Sequence, residues 1–168
     1  MLGYPSTISL KAIYGQLCKR ALVEQRRAVL FLTHYESPTS IRYTLKEYDI
    51  SIQQHVALGS LVIVDAPQIL SKSNTPVDFV RYLETFGKSS ERRGMKGTQV
   101  IIDMGAFYHL RKLSELAEFE EAISKITASF KTIPILCCYH MKELSKSLEK
   151  EQDHLPCLHS GCYAIEEG

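Results

Sequence analysis

No stretch of this sequence reads G-x-x-x-x-G-K-[ST], and none reads G-x-G-x-x-G. The first absence removes the backbone cradle and lysine with which a phosphate-binding loop holds a nucleotide; the second removes the dinucleotide fingerprint. No G-x-S-x-G nucleophile elbow is present, so hydrolase chemistry of that type is not expected. No apolar run approaches the roughly 18 residues of a membrane helix. Met1-Leu2-Gly3-Tyr4-Pro5 lacks the basic and apolar regions of a signal peptide. A cytoplasmic location is therefore expected, with no membrane partner. Excess charge is also missing. The formal net charge is +1, which argues against direct nucleic-acid binding. Cysteines number five, an odd count, in a chain long enough to bury a core without disulfides. Reduced thiols are the expectation.

What is present is an alternation of two periods. Ala28–Thr33, Leu61–Val64, Gln99–Ile102, Ile133–Cys138 and Cys162–Ile165 read as strands. Helical segments lie between them, and the strand runs show no in-out alternation. That combination predicts a three-layer α/β fold with a mainly parallel sheet of about five strands and helices on both faces. Leu10, Ile13, Tyr14, Leu17 and Ala21 form one face of a helix placed before the first of these strands. Residues 1–26 thus read as an added helical element for dimerisation or docking, and 27–168 as the α/β core of a single domain. Ser37-Pro38 and Thr75-Pro76 are helix starts. Ile41, Leu45, Tyr48, Ile52 and Val56 read as the stripe of one helix that ends at Gly59. Ser71–Asn74 reads as a polar loop, and Leu144 and Leu148 as part of a short charged helix.

In open α/β sheets ligands bind beyond the carboxyl ends of the strands. This rule nominates His34, Tyr35 and Glu36 after the first predicted strand, Asp65 after the second, Asp103 after the third, and Tyr139 and His140 after the fourth. In the resulting site Tyr35 and Tyr139 would stack on an organic ligand and the carboxylates would orient it. The turn Thr33-His34-Tyr35-Glu36-Ser37-Pro38 has neither glycine nor lysine, and Glu36 would repel phosphate. Glu36 and Asp103 mimic part of a phosphorylation receiver, but its acidic pair and its lysine are missing.

Several pieces, in order, resemble the sensory domain of methanogen and methylotroph regulators, the MEDS or dichloromethane-regulator type. They are His34-Tyr35-Glu36, Gly59 with Leu61–Asp65, Gly94–Asp103 followed by Met104 (GMKGTQVIIDM), Glu118-Phe119-Glu120, Leu136–Tyr139 (LCCY) and Leu158-His159. His140 departs from the family's aspartate. The resemblance implies a RecA/KaiC-like fold whose phosphate loop is lost, and a role in signal sensing, often beside a DNA-binding or kinase domain. No output domain is recognisable before Gly168, so the reading is a stand-alone sensor or a part of a longer regulator.

The expected function is therefore a non-catalytic regulatory domain that binds a small-molecule signal or a regulatory protein, with no cofactor. A docking domain without a ligand and an atypical nucleotide binder are the alternatives. Three further features stand aside from that reading. His154, Cys157, His159 and Cys162 offer zinc-type ligands at a spacing no standard finger uses, and no metal is assigned to them. Cys137 and Cys138 are adjacent on a strand, so their side chains point to opposite faces and act as small apolar residues. Arg92, Arg93 and Lys96 read as favourable charge at a helix C-terminus.

Overall fold

Buried β-branched and aliphatic runs need partners on both edges and both faces, and the computed structural model supplies them. It describes residues 1–73, 75–110, 113–129, 133–143, 145 and 163–165. Among the described residues six strands form one sheet: β1 (Leu2–Tyr4), β2 (Ala28–Thr33), β3 (Leu61–Asp65), β4 (Thr98–Asp103), β5 (Ile135–His140) and β6 (Tyr163–Ala164). Their spatial order is β3-β2-β4-β5-β1-β6, and every pairing is parallel. Every residue of β2 is buried, as a strand covered on both faces requires.

Between the strands lie α1 (Thr7–Lys19), α2 (Pro38–Lys46), α3 (Ile52–Ala57), α4 (Ala66–Lys72), α5 (Pro76–Arg92), α6 (Gly105–His109) and α7 (Leu113–Ser129). They divide into two layers, each with its own core. On one face Leu10, Tyr14 and Cys18 of α1 and Ile41 and Leu45 of α2 pack with Val29, Phe31 and Ile101. On the other, Phe79 and Leu83 of α5 and Leu116, Phe119 and Ile123 of α7 pack with Leu30, Val100 and Ile102. Neighbouring strand residues point to opposite faces, so Cys137 joins the second core and Cys138 the first.

The structure corrects four sequence readings. The first helix is not an appendage, because Leu2–Tyr4 pair with β5 and β6 in the sheet interior. That makes α1 the crossover from β1 to β2. A three-residue strand carries too little pattern to be separated from a helix start. The predicted helix over Ile41–Val56 is two helices. Asp49 takes a left-handed conformation between them (φ 59°), and Val56 is exposed. Much of the predicted loop at Ser71–Asn74 is instead the end of α4, which runs to Lys72. The fourth predicted strand is shifted: β5 extends through Tyr139 and His140. The expected caps are present. Ser37 Oγ accepts from the Ser40 N–H at 3.1 Å, and Thr75 Oγ1 from the Asp78 N–H at 3.3 Å. Gly59 closes α3 with φ 64°. Leu144, Leu148 and the His/Cys tail lie outside the described residues. Among the described residues no helix is long and apolar enough to cross a membrane.

Candidate functional site

The strand order sets where a cleft can open. From β1 the chain moves to β2 and β3 toward one edge; from β3 it turns back through β4 and β5 to β6. The helices after β1 and β2 join one layer, those after β3 and β4 the other. Neighbours β2 and β4, and likewise β1 and β5, therefore sit where the chain's course reverses, the place where such sheets bind ligands. The carboxyl ends at these reversals carry Tyr4, His34, Tyr35, Asp103 and His140.

Asp103 is the node. It ends β4, is 3% exposed, and holds together three strand exits. Its Oδ2 accepts the Tyr35 N–H at 3.0 Å. Its Oδ1 accepts the Gly105 N–H at 3.1 Å and the Tyr4 hydroxyl at 3.3 Å. Burial raises the Asp103 carboxyl above the ordinary carboxylate range, while the Tyr35 and Gly105 amides oppose that rise.

Above the node the rings form a row. His109 lies 5.1 Å from His34, His34 lies 4.8 Å from Tyr35, Tyr35 lies 5.4 Å from His140, and His140 meets Tyr4 edge-on at 5.4 Å. Tyr4 is fully buried, whereas Tyr35 is 37% exposed at the mouth. Burial raises the Tyr35 phenol, and its hydrogen bond to Glu143 adds to the rise. Gly105 permits this arrangement. A Cβ there would stand 2.7 Å from Tyr35 Cζ and 2.9 Å from His34 Cδ2. Gly105→Ala is therefore expected to displace both rings and cost about 1–3 kcal/mol. Chemical denaturation would measure the cost, and shifted Tyr35 ring resonances would report the displacement.

Glu36 is buried beside the row, not in it. Its carboxylate accepts from Tyr14 at 3.1 Å and Ser40 at 2.9 Å, and pairs with Lys11 at 3.1 Å. Its backbone carbonyl accepts the Thr33 hydroxyl. It thus ties α1 to α2. Lys11 is 37% exposed, so its share is screened. Glu36→Gln is expected to lose about 1 kcal/mol, mostly through the Tyr14 and Ser40 bonds. If added salt abolished the difference, the Lys11 pair would be the main contributor.

Of the seven nominated residues, the structure joins His34, Tyr35, Asp103 and His140. Asp65 does not join them; it lies on β3, at the sheet edge. Tyr139 does not either. It faces the second core, fully buried, and its hydroxyl donates to Glu120 of α7. It lies inside β5 one residue before His140, so its side chain faces the opposite side of the sheet. Sequence reasoning missed Tyr4, His109 and Glu143. Tyr4 had a signal, since Leu2-Gly3-Tyr4 stands directly before Pro5 and the capping Ser6.

The turn leaving β1 is only Pro5 and Ser6. It contains no glycine, and the Ser9 amide is already bonded by Ser6 Oγ at 3.4 Å. The turn after β2 likewise contains no glycine, and the Ser40 amide is bonded by Ser37 Oγ at 3.1 Å. Among the described residues no group of three or more His, Cys, Asp or Glu is placed to hold a metal. Cys18, Cys137 and Cys138 are buried free thiols, and burial pushes Cys18 up to about 12. That setting is inert. Arg93 donates to the Gly59 carbonyl at 3.1 Å and to Ser90 Oγ at 3.4 Å.

No curated protein matches the chain. A family profile does, over residues 17–160, which includes β2 to β5 and most of the ring row. Tyr4 and β1 precede the matched region, although they complete the sheet and the node. With most of its length matched, the chain belongs to the MEDS family, the methanogen/methylotroph, DcmR sensory domain.

Proposed function

We propose that this sensory domain detects a small molecule at the carboxyl edge of its sheet, against His34, Tyr35 and His140, and binds it without transforming it. The observation that carries the reading is the Asp103 node. One buried carboxylate ties the exits of β1, β2 and β4 at a reversal of the chain's course. A ligand that moves Tyr35 would load the bond from its amide to Asp103. Through Tyr4, the load reaches the short turn into α1. Glu36 couples α1 to α2 by a second route. The output is then a shift in how α1 and α2 present themselves to a partner.

Melting curves with a metabolite library test this. A ligand at about 100 times its dissociation constant adds roughly 2.7 kcal/mol. The expected result is a stabilising compound whose effect is lost in Tyr35→Ala and in His140→Ala. A compound that stabilises both variants as well as the original chain binds elsewhere and overturns the strand-end assignment.

A further inference from the structure

The strand-end reading leaves the chemical class of the ligand open, and the ring row narrows it. We infer that the site takes an uncharged, planar heteroaromatic ligand, of nucleobase or pteridine type, stacked on Tyr35 and His140. The inference rests on the strand-end reading and adds two constraints to it.

The first constraint is shape. Tyr35 is the ring at the mouth, and it is fixed at three points. Its amide is bonded to Asp103, its hydroxyl to Glu143, and its ring lies against Gly105. His140 stands 5.4 Å away at 52°, and is itself backed by the buried Tyr4. Rings held this firmly lose little freedom on binding, and they offer flat π faces with polar edges. A flat conjugated ligand matches such faces. A flexible aliphatic one gains more from a branched apolar lining. The imidazoles of His34 and His140 also supply donor and acceptor nitrogens for a heterocycle's rim.

The second constraint is charge. Carboxylates flank the rings: Asp103 beneath, Glu36 beside α1 and Glu143 at the Tyr35 hydroxyl. Lys11, the cation beside Glu36, is paired to it at 3.1 Å. The β1 and β2 exits contain no glycine. A phosphate attached to the ligand would meet the negative charge of Asp103 and Glu143 beside the rings. The ring itself is therefore recognised, and a nucleotide's tail opposes binding.

Ligand-detected saturation-transfer NMR and titration calorimetry on the full chain test this with adenine, lumazine and indole. Adenosine, AMP and the saturated cyclohexanecarboxamide complete the set. At least one planar probe is expected to bind saturably, AMP less tightly than adenosine, and the saturated probe not at all. Tyr35→Leu should weaken binding about tenfold, and Tyr35→Phe should retain it. His140→Leu is an independent second variant should Tyr35→Leu fail to fold. No saturable binding of any planar probe at millimolar concentration would overturn the inference. So would AMP binding more tightly than adenosine, or undiminished binding by a folded Tyr35→Leu or His140→Leu chain. A library compound without a planar ring, lost in His140→Ala, would sink this inference while leaving the strand-end reading intact.

Discussion

Replacing Asp103 with alanine is expected to lower the unfolding free energy by about 3 kcal/mol. Three donors converge on this carboxylate: the amides of Tyr35 and Gly105 and the hydroxyl of Tyr4. The Gly105 and Tyr4 bonds lie in buried surroundings, where water cannot replace a lost acceptor. An unsatisfied buried donor costs roughly 1–3 kcal/mol. Recovery of the carboxylate's own burial cost offsets part of the sum, and for that reason the expected total stays near the cost of a single strong loss. Asp103→Asn separates the contributions. Its amide oxygen can serve Gly105 and Tyr4, but its NH2 then faces the Tyr35 N–H. About half of the alanine effect should remain. Tyr4→Phe, which removes one neutral donor, should cost about 1 kcal/mol. Urea denaturation of the set checks the order: alanine largest, asparagine intermediate, phenylalanine smallest.

Acidity provides a second readout of the same group. The Asp103 carboxyl is raised in the folded state because burial disfavours its charge. A raised acid binds its proton more tightly folded than unfolded. Its contribution to stability is therefore fully present below the unfolded value of 3.8 and is lost as pH rises through the folded value. Asp103→Asn should flatten the stability profile across that acid window. A profile unchanged by the substitution would show that the amide bonds cancel the burial effect.

The second large effect is expected at the opposite layer. Tyr139 donates to Glu120, and the Cys137 thiol lies 3.8 Å from the other oxygen of that carboxylate. All three are nearly or wholly buried. Burial, followed by the Glu120 charge, pushes both the phenol and the thiol well above their ordinary values, so both stay protonated and act as donors. Tyr139→Phe removes the stronger donor from a buried carboxylate and should cost about 2–3 kcal/mol. Glu120→Leu strands the phenol in turn and should cost a similar amount. The double variant Tyr139→Phe with Glu120→Leu should lose less than the sum, because replacing both partners removes the desolvation penalty with the bond. Additive losses in the cycle would show that the two groups do not act as a pair. This result would also separate Tyr139, a strut between β5 and α7, from the ligand rim where its place in the sequence had put it.

The physical basis of these effects lies partly in plain view along the chain. Apolar runs such as Ala28–Thr33, without alternation, have to be covered on both faces, and this requirement alone specified a parallel sheet between two helical layers. Ser37-Pro38 and Thr75-Pro76 declared helix starts because capping is local chemistry. The missing glycine-rich loop was equally legible, since phosphate binding needs particular residues in a continuous stretch. The ordered pieces from His34 to Leu158 identified the family. Strand order, by contrast, is a property of contacts distant in sequence. Only the tertiary structure inserted the three residues of β1 between β5 and β6, brought Tyr4 to Asp103 across 99 positions, and turned Tyr139 into the second core. A short central strand gains its stability from its neighbours rather than from its own pattern, and a side chain one residue along a strand faces the other way.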